Sequence, residues 1–329
     1  MNLRTLFILG AFAVTLGITT PLDVSAQISR PLGVLETNPD ARTSALADVM
    51  GVRPSRMSLF ASPVALFGNE RTFGAEVSGQ IFPKIEGMEG RSYQVNAVAG
   101  YRFLDRHALS LSYRIQGAPK VSYFTLENPS AEPVTIRPFD WALDLSYGLD
   151  LGSGFMLSAS GNVIASWIGK GAYTVSGSLG AFYHTEIDRT RATDPIDLSL
   201  GLKVNDLGSP ITYKGEGMSY AVPASLQLGG EMGFTLIGKN HLDLLLGGRY
   251  FFLPREAALL TAGLGAEYDY DESFFVRAGY QFGQKDLSYV TLGAGAKVLG
   301  GLSLDLSYRI ATSRLTGVNL WSLGASYEF

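Results

Sequence analysis

From about Thr72 to its last residue the chain alternates with period two, in runs long enough to cross a bilayer. Leu302-Ser303-Leu304-Asp305-Leu306-Ser307-Tyr308-Arg309-Ile310 places apolar side chains on one parity and mostly polar ones on the other. Residues 196–204 and 109–116 do the same. Successive side chains of a strand point to opposite faces, so each run is a strand with one apolar and one polar surface. The runs approach the roughly 9–11 residues of a tilted membrane-crossing strand, whereas soluble strands average about 5–6. A sheet in a bilayer must close on itself, because lipid cannot satisfy an open edge. The pattern therefore predicts an all-β, antiparallel transmembrane barrel.

Fourteen segments carry the pattern: 72–80, 93–102, 108–116, 141–150, 155–165, 172–185, 195–204, 225–235, 241–251, 258–268, 274–282, 290–298, 302–310 and 320–329. An even number returns both ends of the barrel to one side, as single-chain bacterial barrels do. Connections alternate as that class requires, with long ones at 81–92, 117–140 and 205–224 and tight ones such as Gly300-Gly301. Residues 186–194 depart from the rule, being neither long nor tight.

The composition agrees and narrows the function classes. Thirty-nine glycines in 329 residues exceed the usual share of about 7%, yet 18 Phe and 16 Tyr exclude a disordered chain. With no cysteine there is no disulfide scaffold, iron–sulfur site, thiol nucleophile or lipoprotein anchor. A net charge of −4 offers no footprint for nucleic acid. Residues 1–26 read as a signal peptide, with Arg4, an apolar stretch from Leu6 to Ile18, and Val24-Ser25-Ala26 before the cut. Residues 27–71 lack sustained alternation. Fourteen strands enclose more space than wall side chains fill, so this segment is expected to fold inward as a plug, the alternative being a periplasmic tail.

Charges on a lipid-facing surface cost about 2–4 kcal/mol each for Arg or Lys at midplane. Parity therefore assigns Glu76, Arg114, Asp144, Lys203, Glu231, Arg249, Glu267, Arg277, Lys297, Asp305 and Arg309 to the lumen. Both signs occur in similar number, which favours a self-neutralising network over a charge-selective pore. The last segment places Trp321, Leu323, Tyr327 and Phe329 on one face and ends on the aromatic, the form of an outer-membrane assembly signal.

Asn38-Pro39-Asp40-Ala41-Arg42-Thr43-Ser44-Ala45-Leu46-Ala47-Asp48 resembles the N-terminal signature of the PorV/PorQ family, relatives of the FadL-type outer-membrane transporters. Pro39, Asp40, Ala41, Arg42 and Asp48 fit it, while Thr43, Leu46 and Ala47 replace the usual small residues and methionine–glycine pair. Residues 201–208, 211–213 and 222–229 look like the family's strand, loop and strand pattern, and residues 265–268, 276–280, 291–295 and 304–308 continue it in order. Leu59-Phe60-Ala61-Ser62-Pro63-Val64 keeps, in Pro63, the proline of the FadL-type Asn-Pro-Ala element, without its asparagine. The resemblance implies an accessory of type IX secretion in the outer membrane of Bacteroidetes-type Gram-negative bacteria. Its partners would be the translocon, secreted cargo or a sortase-like attachment subunit, besides outer-membrane lipid. Under that reading loops 117–140 and 205–224 bind the partner. The rivals are a FadL-like transporter with a hydrophobic small-molecule ligand and a simple porin.

Catalytic chemistry is hard to find. No nucleophile-elbow, zincin, Walker or Rossmann pattern occurs, and no cofactor or metal is expected. His107, His184 and His241 sit near strand ends, and Asp269-Tyr270-Asp271-Glu272 reads as a solvated turn rather than a calcium loop. Aromatics gather near strand ends, as in an interfacial girdle. Phe251-Phe252-Leu253-Pro254 is the apolar turn best suited to a ligand path or a docking knob.

Overall fold

The computed structural model describes residues 32–68, 72–123, 133–187, 195–213, 215, 219–236, 238–284, 287–312 and 319–329. The signal-peptide reading of residues 1–26 lies outside them, as do residues 188–194 of the anomalous turn.

Fourteen antiparallel strands form a closed barrel in which each pairs with its neighbours in sequence. They are β1 (Phe73–Ile81), β2 (Tyr93–Phe103), β3 (His107–Gly117), β4 (Phe139–Gly152), β5 (Phe155–Trp167), β6 (Gly171–Ile187) and β7 (Ile196–Gly208). The second half comprises β8 (Ser225–Thr235), β9 (Asn240–Phe251), β10 (Leu259–Tyr270), β11 (Phe274–Gly283), β12 (Tyr289–Leu299), β13 (Leu302–Ala311) and β14 (Leu320–Glu328). The seam joins β1 to β14, from Gly74 opposite Glu328 to Ile81 opposite Trp321. All fourteen alternating segments are strands of this barrel, most of them a few residues longer than the alternation alone marks.

One parity of every strand faces out and is apolar. Val77, Leu145, Leu179 and Leu323 are each more than half exposed although hydrophobic, which only a lipid surround makes favourable. Cross-strand ring pairs mark the two edges of this belt. Phe73–Phe329 (5.3 Å) and Phe155–Tyr183 (4.5 Å) ring one end; Tyr308–Trp321 (4.2 Å) and Phe139–Trp167 (5.8 Å) ring the other. The first is the turn end, where Gly300 and Gly301 close a two-residue hairpin with φ of 48° and 95°. The second is the loop end. There Val121–Tyr123 pairs with Val134–Ile136, and Ile211–Thr212 pairs with Ser219–Tyr220, so parts of both long loops are hairpins.

Inside the barrel runs the segment 32–68, with one short helix, α1 (Ala41–Ala45), and three 3-10 turns. Asp40 caps α1, its carboxylate accepting from the backbone N–H groups of Arg42 (3.1 Å) and Thr43 (2.7 Å). The segment starts at the loop end, where Leu32, Val34 and Leu35 pack with Ala142, Ile164, Ile211 and Val222. It finishes at the turn end, where Leu59, Val64 and Leu66 pack with Val98 and Ala108. Ser62 takes the capping place ahead of Pro63, accepting from Val64 N at 3.2 Å.

Candidate functional site

The lumen wall has two kinds of surface, and both follow from which small residue occupies the inward parity. On β7 to β14 it is often glycine. A Cβ at Gly201 would lie 2.6 Å from Val52, one at Gly279 would lie 2.7 Å from the backbone nitrogen of Ala47, and one at Gly293 would lie 2.4 Å from Ala45. The segment therefore lies against bare backbone on this side, and much of the glycine excess is the track it occupies. On β3 to β6 the inward parity carries serine instead: Ser110, Ser112, Ser146, Ser160 and Ser178, joined by Asn162.

Ion pairs fasten the segment to the glycine side. Arg42 grips Glu267 with two bonds of 2.9 Å, and Arg277 of the wall donates to the same carboxylate and to Asp305. Arg53 reaches Asp197 (2.9 Å), Glu231 (3.3 Å) and Asp243, and Arg56 pairs with Asp269. Glu231 also accepts from the backbone nitrogens of Val52 and Arg53, both at 3.3 Å. Near the loop end Asp48 accepts from Arg309 and from the Tyr289 hydroxyl. Glu267 is fully buried and Arg277 is 3% exposed, so the loss of one partner strands a charge. Such a loss costs about 3–5 kcal/mol.

The charges that parity assigns inward all lie on the lumen face. Glu76 accepts from Ser58 Oγ (2.5 Å) and Leu59 N (2.7 Å); Arg114 pairs with Asp144 (2.9 Å) on the wall; Lys203 donates to Ala61 O (2.7 Å). Arg249 donates to Ser225 (2.9 Å), and Lys297 stands half-exposed at the turn end, 3.8 Å from Glu272. Further acids on the inward parity belong with them, Asp140 and Glu186 among these. Asp197, Asp243 and Asp269 share parity with Lys203, Arg249 and Glu267, so the same rule points to them. Asp206 does not obey it. A register shift between Gly177 and Leu179 opposite β7, with Asp206 at φ 58°, turns both Asn205 and Asp206 inward.

Two expectations need correction. Phe251 is no docking knob: it ends β9 on the parity of Arg249, is 5% exposed, and has that guanidinium 4.2 Å above its ring. Phe252, Leu253 and Pro254 are half-buried, with Phe252 N and Leu253 N donating to Ala224 O. Nor is Asp269–Glu272 a single solvated turn. Asp269 is buried on Arg56, whereas Asp271 is exposed and pairs with Lys239 at 2.7 Å, which holds that ammonium above its ordinary pKa. Trp321, Leu323 and Tyr327 face outward on β14, and the Phe329 ring packs at a tilt against Phe73.

Between the serine wall and the segment lies a chamber of about 310 Å³ beneath the loop end. Its polar lining includes Ser112, Asn162, Asn205 and Arg114; its apolar lining includes Leu35, Met50, Phe60, Phe251 and Leu259. A second space of about 280 Å³ at the turn end is bounded by Arg42, Arg53, Arg56, Glu76 and Phe275. The segment separates the two. Among the histidines, His107 meets the Tyr147 hydroxyl (2.6 Å), His241 the Thr235 hydroxyl (3.3 Å) and His184 that of Ser199 (2.9 Å). Ser199 is fully buried, which closes it to substrate as a nucleophile.

No known protein-family model matches the chain, and no curated protein matches its sequence. Solved structures do resemble it in fold. The Pseudomonas putida toluene transporter TodX aligns with a TM-score of 0.55 at 14% identity, over 86% of this chain and 97% of its own. A Pseudomonas aeruginosa FadL homologue gives 0.52 at 13%, over 88% and 98%. The CymD monoaromatic hydrocarbon channel gives 0.52 at 10%, over 88% and 97%. The fold is thus the FadL-like fourteen-stranded barrel.

Proposed function

We propose that the chain is a non-enzymatic transporter that passes hydrophobic small molecules across the outer membrane of a Gram-negative cell, with the segment 32–68 as its gate. The observation that carries this reading is the chamber below the loop end. It is walled by the segment on one side and by barrel strands on the other, combines apolar and polar walls, and is of a size for a single small ligand. The fold shared with structures named as hydrocarbon channels and a toluene transporter supports the ligand class. Passage requires the segment to shift from the glycine side, where its ion pairs hold it. The test is uptake of labelled toluene and of a labelled long-chain fatty acid by a deletion strain with and without the gene. Restored uptake of either supports the reading; equal uptake of both in the two strains ends it.

A second reading is the type IX secretion accessory implied by Asn38 to Asp48, with translocon, cargo or sortase-like subunit as partner. What favours it is the order in the loop-end surface. The two loop hairpins stand above the barrel, and Lys120 bridges to Glu89 of the first loop, donating to its carboxylate and holding its pKa below the ordinary range. Affinity capture of the tagged chain from gently solubilised outer membranes decides this point. Recovery of a giant translocon or a sortase-like subunit puts the accessory first, and recovery of the barrel alone removes it.

A further inference from the structure

We propose that His184, Glu186 and Asp197 form a binding site for a divalent transition-metal ion, of which zinc is the best fit, on the turn-end rim of the lumen. Strands β6 and β7 pair so that Glu186 stands directly opposite Asp197 and His184 directly opposite Ser199. All four side chains are on the inward parity, and one ligand atom from each of His184, Glu186 and Asp197 lies within 4.8 Å of the others.

Three independent features make this more than a chance grouping of acids. Like charges placed directly opposite on one face of a sheet repel, and that cost is removed if a cation bridges them. Asp197 has such a cation in Arg53, at 2.9 Å; Glu186 has none among the described residues. Next, the imidazole is already oriented. Its Nδ1 lies 2.9 Å from Oγ of the fully buried Ser199, which fixes the ring and leaves Nε2 as the ligand nitrogen. Metal-binding histidines are usually held by this kind of second contact. Finally, one imidazole with two carboxylates is a donor set for zinc or its neighbours, not for calcium or magnesium, which take oxygen alone. Zinc bonds of about 2.0–2.2 Å need ligand atoms about 3.3 Å apart. Glu186 is exposed at the rim and free to rotate that distance inward, while His184 and Asp197 are held. A carboxylate has lone pairs on both oxygens, so Asp197 can keep Arg53 on one and the ion on the other.

No sequence motif marks this site, because positions 184, 186 and 197 become neighbours only through the β6–β7 register. It is also separate from the chamber, which lies toward the other end of the barrel.

The test uses the full chain, folded in detergent and titrated with cobalt(II), whose visible absorption reports ligand geometry, followed by displacement with zinc. The expected result is one ion per chain, displaced by zinc, with affinity lowered about tenfold or more in His184→Ala and in Glu186→Gln. Ser199→Ala, which only releases the ring, loses about 10-fold as well. Among the described residues neither His184 nor Glu186 forms a hydrogen bond or ion pair with the segment, and retention of the heat-modifiable barrel band on gels shows that each variant is folded. Binding by His184→Ala equal to the parent, or weak binding at several sites unchanged in all variants, overturns the proposal.

Discussion

The two sides of the lumen are built from the same strand geometry and differ mainly in what stands at the inward positions. Strands β7 to β14 offer glycines and carboxylates, and the segment lies against them with Arg42, Arg53 and Arg56 paired. Strands β3 to β6 offer serines and Asn162, with one wall-to-wall pair, Arg114 and Asp144, and here the chamber opens. A missing methyl group lets backbone meet backbone, whereas a hydroxyl keeps a neighbour at a distance and holds water. Charged attachment thus belongs to the glycine side, whereas the apolar ends of the segment pack on β2 to β6 around the chamber.

The largest expected effect is on the attachment side. Glu267→Gln leaves the guanidiniums of Arg42 and Arg277 without their shared acceptor, at about 3–5 kcal/mol. The segment then leaves its track, trypsin cuts at arginines that are buried in the parent, and planar-bilayer conductance rises. Asp144→Asn breaks a pair between two wall strands, whose Arg114 keeps its bond to Val34 O of the segment; it lowers barrel stability but leaves trypsin resistance intact. If both variants release the segment, the two sides are not independent.

Next in size is the track itself. Gly279→Val drives a side chain into Ala47 and costs about 1–3 kcal/mol as overpacking, again read as tryptic cleavage. Ser160→Val faces the chamber and leaves protection unchanged. A smaller effect sharpens the chamber's side: Ser112→Leu with Ser178→Leu narrows and dries it, changing substrate uptake several-fold with no gain in trypsin sensitivity. The smallest is Asp40→Ala, which removes the α1 cap at a cost of about 1 kcal/mol. It is expected to raise proteolysis of the segment slightly and to leave the barrel's heat-modifiable band in place.

The barrel was legible because a lipid surround and a filled lumen impose opposite demands on successive residues, and the chain writes them out strand by strand. The same parity marks Asp197, Asp243 and Asp269 as lumen acids and Phe251 as an inward residue, although a short apolar run around Phe251 reads more readily as an exposed knob. Asp206 was not legible, since the alternation stops at 204 and the strand continues to Gly208 only through a bulge that shifts its register. The path of the segment was hidden for a different reason. It has no periodicity of its own, and its contacts join residues as far apart as Arg42 and Glu267, 225 positions along the chain. The glycine excess was plain in the composition, but its meaning depends on which glycines face Ala45, Ala47 and Val52.

The direction of the segment has a consequence for the polarity of the whole chain. It begins among loop-end residues and ends at the turn end, where β1 starts. Fourteen strands and one lumenal passage give the described chain an odd number of crossings. Leu32 and Phe329 therefore lie toward opposite sides of the membrane, although the strands themselves start and finish on the same one. The N-terminal end of the described chain thus passes back through the ring that its own later strands form, and the β1–β14 seam encloses it.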